Sequence, residues 1–414
     1  MAVGRAVTRF GHDVWSLTRD GDGWVAASHD RGAGTERRSR GRVAVIATGA
    51  HDVALPFPGW DLPGVFTAGA LQALLKGNGV VAGRRVLIAG TGPFLLPVAT
   101  GLARYGAQVV GIHEAGDPRD WAAHAPAVAQ NAGKVWEGLT YAAGLARHRV
   151  PVHPRSMVVA ARGAGRVQSV TVAGVSETGE PVAGSERDIE VDALGVGWGF
   201  SPVIDLAVTV GCRTSMSWSG PVVEVDDDQR ASVPRLFVAG ETTGVGGATL
   251  ALREGELAAH RILADLGRPP VSTEARLLRL RVDRSRHKAF AAAMADAHPI
   301  PAGWASTLVS ETVVCRCEEV PYAAVRRAVV EEGAGDVRQV KQLTRAGMGW
   351  CQGRVCEPAC RDLVRSLGAR SVAEQPGQVR SKGGRGDAPT ERLVALPIPL
   401  GALADGEVVE RSAM

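Results

Sequence analysis

Between residues 8 and 30, apolar and polar positions alternate through TRFGHDVWSLTRDGDGWVAASHD around D-G-D-G. A period of two sends successive side chains to opposite faces of a half-buried strand, and Asp-Gly between two such runs marks a hairpin. Residues 1–50 are therefore expected as short strands, ending in a buried one within RVAVIATGA. The clearest unit lies at 84–115, RRVLIAGTGPFLLPVATGLARYGAQVVGIHEA. An apolar strand from Val86 to Ala89 enters a glycine turn, a helix follows, and a second strand from Gln108 to His113 ends at Glu114. Further strands are expected around 157–175 and in VDALGVGWG at 191–199, while 235–267 reads as strand, glycine-rich turn and long helix. Strands alternating with helices, with apolar strand runs, predict parallel sheets covered on both faces.

After Gly267 the pattern changes. Residues 271–296 form an Arg-rich helical stretch, and the Pro-containing HPIPAGW reads as a connector wrapping onto a neighbour. A cysteine module occupies roughly 311–375. Residues 376–392 are too polar and too rich in Gly and Pro to bury a core, so they are expected to be disordered. The apolar, Pro-broken LVALPIPLGALA reads as an extended arm docked on a domain.

Bulk properties narrow the class. A chain of 414 residues has room for about two to three domains of ~150 residues each. With 45% apolar and 22% charged residues it can bury real cores. The 47 basic and 43 acidic residues leave a net charge of +4, too mild and too evenly spread for a nucleic-acid partner. No run approaches the ~18 apolar residues of a membrane span, and the start lacks the apolar core of a secretory signal. With cysteines clustered instead of scattered, a cytoplasmic, reducing location is expected.

Four of the six cysteines stand close together: Cys315 and Cys317 as C-R-C, Cys351 and Cys356 as C-x4-C. Two such pairs can wrap one small centre, and thiolates at that density repel one another unless a cation or cluster takes up their charge. Iron–sulfur and zinc both suit four thiolates, so spacing alone leaves the choice open. Gly347, Gly349 and Gly353 around the third cysteine suit close backbone approach. Cys212 reads as a small core residue and Cys360 as a helical core position.

Gly90-Thr91-Gly92-Pro93 follows a strand and opens a helix, where bare backbone amides and the helix N-terminus favour a pyrophosphate. Pro93 fits the first helical turn. Glu114, 24 residues after Gly90, stands where an acid accepts ribose hydroxyls, favouring NAD or ADP over NADP. Leu95 occupies the place of the third glycine. Ala47-Thr48-Gly49 ends one strand, and Gly240-Glu241 begins a turn with Gly244, Gly246 and Gly247, placing bare backbone beside a second nucleotide. The alternative at 90–93 is a degenerate nucleotide fold that binds nothing, and at the second place it is glycines that serve only tight strand-to-helix turns. No Ser-His-Asp set, paired carboxylates or dithiol near the glycine turns is visible, so the catalytic residues are unknown and the chain reads as a holder of electron carriers.

Together these segments resemble the nucleotide-binding subunit of bacterial multi-subunit amine and amino-acid dehydrogenases of the opine oxidase, hydrogen cyanide synthase and hydroxyproline dehydrogenase type. The matching stretches are ATGA at 47–50, PFPGWDLPGVFTAGALQALLK at 56–76, GTGPFLLPVATGLARYGA at 90–107, VGWGFSP at 196–202 and VAGETTGVGGATLALREGELA at 238–258. The paired CRCE and GMGWCQGRVC are the most specific, resembling the 2Fe–2S domain of bacterioferritin-associated ferredoxin. The resemblance implies an α/β, glutathione-reductase-like fold with two dinucleotide-binding domains and a small helical 2Fe–2S domain. Relatives begin with a strand–GxGxxG–helix unit; none precedes ATGA, so the fold is expected to lack its first N-terminal βαβ unit. The implied division is 1–78 and 186–270 as two parts of an FAD-type domain, 79–185 as an NAD/ADP-type domain, 271–310 as a helical connector, 311–375 as the cluster domain, and 376–414 as linker and arm. Cys315, Cys317, Cys351 and Cys356 are implied as cluster ligands. Gly90, Gly92, Pro93 and Glu114 are implied as contacts to NAD or ADP/ATP, and Thr48, Gly49, Gly240, Glu241, Gly246 and Gly247 as contacts to FAD. The implied role is electron relay from flavin to cluster to an external acceptor. It would act beside a catalytic partner resembling D-amino-acid oxidase, with further small subunits, and with membrane association only through partners. The alternative is a non-catalytic scaffold that binds zinc or ADP.

Overall fold

The computed structural model describes residues 6–270, 272–374, 395, 396, 398 and 409–411. The segment 376–392, expected to be disordered, lies outside the described residues. The chain forms two compact units, one of Met1–Gly49, Pro202–Arg284 and Ala388–Met414, the other of Ala50–Ser201 and Ser285–Asp387.

In the first unit, His12–Asp20 and Gly23–Asp30 pair antiparallel around the Asp-Gly turn, and Thr35–Gly41 continues the sheet. A strand not anticipated from the sequence, Val409–Arg411, adds to it in parallel. Ala395, in the stretch expected as an arm, is buried and donates its N–H to the Trp15 carbonyl at 2.9 Å. Ala44–Ile46 and Leu236–Val238 form a separate two-stranded parallel sheet. Trp24 and Leu17 from the hairpin, Ile46, Leu236 and Val238 share one core. The helix Gly247–Asp265 follows the glycine-rich turn.

The second unit is built on a five-stranded parallel sheet in the order Val65–Thr67, Ala193–Gly197, Arg85–Gly90, Gln108–Glu114, Val152–Pro154. The strand Arg85–Gly90 sorts its side chains by parity: Val86 and Ile88 face one core, Leu87 and Ala89 the other. The first core is covered by helices Ala68–Asn78, Leu95–Arg104 and Ala132–Arg147. The second is covered by an antiparallel sheet, Ser156–Arg162, Ser169–Gly174 and Arg187–Glu190, not by helices. The register pairs Val158 with Val172 and, past a bulge between Val158 and Ala160, Ala161 with Val170, so these four share the apolar face that meets the parallel sheet.

These units divide the chain differently from the expected domains. Ala193–Gly197, placed with a flavin-type half, pairs directly with Arg85–Gly90 in the parallel sheet, and Val65–Thr67, placed with the other half, pairs with the far edge of Ala193–Gly197. An apolar strand buried on both faces carries no mark of which sheet it joins, so the sequence could not assign it.

The cysteine module has its own short hairpin, Val313–Cys315 with Val320–Pro321, and three helices, Tyr322–Val330, Val337–Thr344 and Glu357–Glu374. Asp336 caps the second helix by accepting the Gln339 N–H at 2.8 Å, and Arg345 ends it at φ +68°. Val325, Val340, Cys356, Leu363 and Cys315 belong to the same continuous core as the antiparallel sheet. Within this unit the module is therefore integral to the fold. No helix among the described residues is long and apolar enough to cross a membrane.

Candidate functional site

The two cysteine pairs come from two loops that the module folds together. Cys315 ends a strand and is buried, whereas Cys317 lies in the following turn and is half-buried. Cys351 lies in the loop before the last helix, and the buried Cys356 immediately precedes that helix. The thiol of Cys315 is in contact with that of Cys356, and burial adds to this contact in pushing Cys315 above the ordinary thiol range. Burial is the main cause raising Cys317, which also contacts Cys351. Cys356 is lowered by Cys315 but raised by Cys360 and by burial, and it ends above its ordinary value. Four thiols so placed crowd like with like.

The glycines of the second loop make that crowding possible. The Gly347 N–H points at the Cys315 sulfur at 3.5 Å from a backbone with φ +85°. A Cβ on Gly349 would lie 2.1 Å from the Cys317 Cβ, so only glycine lets these loops meet. Arg345 and Glu318 join the two loops by a 2.9 Å ion pair. The Arg316 guanidinium, between the first two cysteines, stacks on the Trp60 ring at 5.0 Å and donates to the Asp61 carbonyl at 3.2 Å. Trp60 in turn donates to the Val313 carbonyl. The first loop is thereby fixed to the segment at 57–61, a link the sequence did not reveal because its partners lie about 250 residues apart. Among the described residues, no group of three or more His, Cys, Asp and Glu side chains is placed to hold a metal ion. Sulfur-only donors with an amide aimed at sulfur suit an iron–sulfur cluster.

The turns expected at the flavin come together in the first unit. The parallel strands Ala44–Ile46 and Leu236–Val238 deliver Thr48 and Gly240 to the same sheet end, where the Thr48 and Thr242 hydroxyls stand 3.3 Å apart. Gly240 has φ +80° and ψ −155°, a conformation almost confined to glycine. Its N–H donates to the fully buried Glu254 carboxylate at 2.9 Å, and the Thr243 hydroxyl donates to the same carboxylate at 3.0 Å. Gly246 caps the helix that begins at Gly247, whose N–H donates to Glu241 at 3.3 Å. Burial pushes the Glu241 carboxyl up, and that amide only partly offsets it. Gly49 and Gly247 have open space where a Cβ would stand. This bare backbone at the strand ends fits a nucleotide cofactor.

The turn at 90–93 is engaged differently. A Cβ on Gly90 would lie 1.8 Å from the Gly197 carbonyl oxygen, so the neighbouring strand alone demands glycine here. Pro93 sits in the turn before the helix Leu95–Arg104, not within it. Gly92 donates its N–H to Glu114 at 3.0 Å, and Glu114 also accepts from the Thr91 hydroxyl at 3.1 Å and the Gly116 N–H at 3.0 Å. His298 Nδ1 lies 3.4 Å from the same carboxylate, and Trp121 donates to His298 Nε2 at 3.0 Å. Because an indole only donates, Nε2 accepts and the proton sits on Nδ1, facing Glu114. These residues do not fit a dinucleotide as they stand, since the amide and the acid it would use already serve each other.

Fold and sites together define a flavin-type oxidoreductase subunit carrying an iron–sulfur module. Residues 5–255 match the pyridine nucleotide-disulphide oxidoreductase family, and residues 313–366 match the BFD-like 2Fe-2S binding domain. The chain is 34% identical over 330 residues to hydrogen cyanide synthase subunit HcnB of Pseudomonas aeruginosa, covering 79% of this chain and 70% of that protein. It is 33% identical over 405 residues to an opine oxidase subunit of Rhizobium meliloti, covering 96% and 82%. L-proline dehydrogenase from P. horikoshii shares the fold with a TM-score of 0.63 at 18% identity, over 95% of this chain and 64% of that one. The chain belongs to the pyridine nucleotide-disulphide oxidoreductase family, in the group containing HcnB and this opine oxidase subunit.

Proposed function

We propose that this chain is the redox subunit of a flavin-dependent amine or amino-acid dehydrogenase complex, passing electrons from flavin to an external acceptor by way of a 2Fe–2S cluster. The observation that carries the reading is the convergence of Cys315, Cys317, Cys351 and Cys356 in a module of the matching domain type. Bound there, the cluster supplies one-electron storage, its potential set by burial and by N–H groups aimed at sulfur. Cys315 and Cys356 provide the buried side, Cys317 and Cys351 the half-buried side, and Gly347 N–H the bond to sulfur. Thr48, Gly49, Gly240, Glu241, Gly246 and Gly247 are assigned to the flavin. Bond breaking at the amine carbon belongs to a D-amino-acid-oxidase-like partner, in keeping with relatives named as subunits of hydrogen cyanide synthase, opine oxidase and sarcosine oxidase.

The test is Cys351→Ser in the full chain, followed by visible and electron paramagnetic resonance spectra of dithionite-reduced protein. Loss of the iron–sulfur signal with an unchanged far-ultraviolet dichroism spectrum supports the assignment. A variant that keeps the complete signal refutes Cys351 as a ligand, and a wild-type protein that is colourless and holds zinc favours the scaffold reading.

A further inference from the structure

The second glycine turn has all the parts of a nucleotide site, yet each part has a partner within the chain. Its acid is only 13% exposed and is ringed by Thr91, Gly92, Gly116 and His298. A carboxylate offers about four lone-pair positions, so four neighbours use the capacity a ribose would need. The turn amide that would approach a pyrophosphate donates instead to that carboxylate. Above the turn lies the connector: the Thr91 hydroxyl also reaches the Pro299 carbonyl at 3.4 Å, and a Cβ on Gly116 would meet the Ala297 carbonyl at 3.2 Å. His298 is itself only 14% exposed and is held from behind by Trp121, through the indole N–H and an edge contact with centroids 5.6 Å apart. Trp121 packs in turn on Phe290 of the helix Glu274–Ala297, at 5.6 Å.

We infer that this chain closes its own second nucleotide site, with Glu114 serving as a latch for the segment at 297–299 in place of a ribose acceptor. The latch is a set of mutually satisfied groups. Withdrawing the connector strands the Trp121 N–H and the His298 Nδ1–H, and a ribose can recover only the contacts on the Glu114 side. Binding of an adenine nucleotide therefore competes with an intramolecular partner that is always present, and the apparent affinity is the intrinsic affinity multiplied by the open fraction. This inference is independent of what the cysteines hold, because no residue of the latch lies in the cysteine module.

The experiment is a calorimetric titration of the full chain with ADP and with NAD, on wild type, His298→Gly and Trp121→Phe. Hydrogen exchange of the Gly92 and Gly116 amides is followed in parallel. The expected result is no saturable binding by wild type at millimolar nucleotide, with both amides protected. Both variants should gain ADP affinity by about tenfold or more as the latch loosens. Trp121→Phe removes the indole N–H while keeping a smaller aromatic ring between His298 and Phe290, so it reports even if His298→Gly does not fold. Micromolar binding of ADP or NAD by wild type overturns the inference. So do variants that bind no better than wild type, or rapid exchange of both amides in the free protein.

Discussion

The glycine turn at 90–92 and the cysteine loop at 347–353 use the same device for opposite ends. In each, glycines bring a backbone N–H up to an anionic or potentially anionic group. At Gly92 that group is the Glu114 carboxylate, already matched by hydroxyl, amide and imidazole donors from its own chain. At Gly347 it is the Cys315 sulfur, whose nearest companions are further thiols. A polar site supplied with its own counterpart is complete, whereas one that gathers like groups calls for something from outside. Buried ionisable groups obey this rule because an uncompensated charge away from water is costly.

The contrast is most sharply broken by substitutions at the glycines. Gly90→Ala places a methyl 1.8 Å from the Gly197 carbonyl oxygen between two central strands. The expected loss exceeds about 4 kcal/mol, enough to unfold the second unit in urea titrations. If the variant folds normally and loses only nucleotide affinity, Gly90 is a ligand contact and not a packing requirement.

A pH titration tests the buried base beside the latch. Burial, with the stacked His153 adding to it, lowers His113 from 6.5 to about 4, and its Nδ1 lies 2.7 Å from the Ser156 hydroxyl. The folded value lies below the unfolded one, so the unfolded chain takes up the proton first as pH falls. Stability from this group is complete above pH 6.5 and is lost as pH drops towards 4. The loss amounts to at most about 3 kcal/mol, read as a falling denaturation midpoint. His113→Gln should flatten that pH dependence, and an unchanged slope would contradict the assignment.

Gly349→Ala drives a methyl into the Cys317 side chain, at an expected cost of about 1–3 kcal/mol. Iron retained after desalting should fall several-fold while the melting of the first unit is unchanged, and full retention would show that the loops can part without consequence. Arg345→Ala removes the exposed end of the ion pair to Glu318, where less than about 1 kcal/mol is expected. Its midpoint shift should also shrink in high salt, and a loss of several kcal/mol would reveal a larger role for that tie.

Much of this was legible along the chain because it depends on local periodicity. The Asp-Gly hairpin, the strand–turn–helix–strand at 84–115 and the helix after Gly247 follow from spacing alone. The cysteine pairs were visible for the same reason. The latch was not, since His298 and Glu114 are 184 residues apart and neither stands in a pattern that links them. The only hint was a proline-bearing connector after an Arg-rich helix. Gly90 was legible as a glycine turn, but its cause was not, because the Gly197 carbonyl that excludes a side chain comes from a distant strand. The antiparallel sheet covering one face of the parallel sheet was read as strands without its place, which only tertiary packing sets.

The central claim, that four thiols in the cysteine module hold two irons, is tested most directly by chemical analysis of the full chain purified without oxygen. Two iron and two acid-labile sulfide per chain, in a brown protein bleached by dithionite, are the predicted result. A colourless protein without sulfide, whether loaded with zinc or free of metal after reconstitution with iron and sulfide, would contradict it.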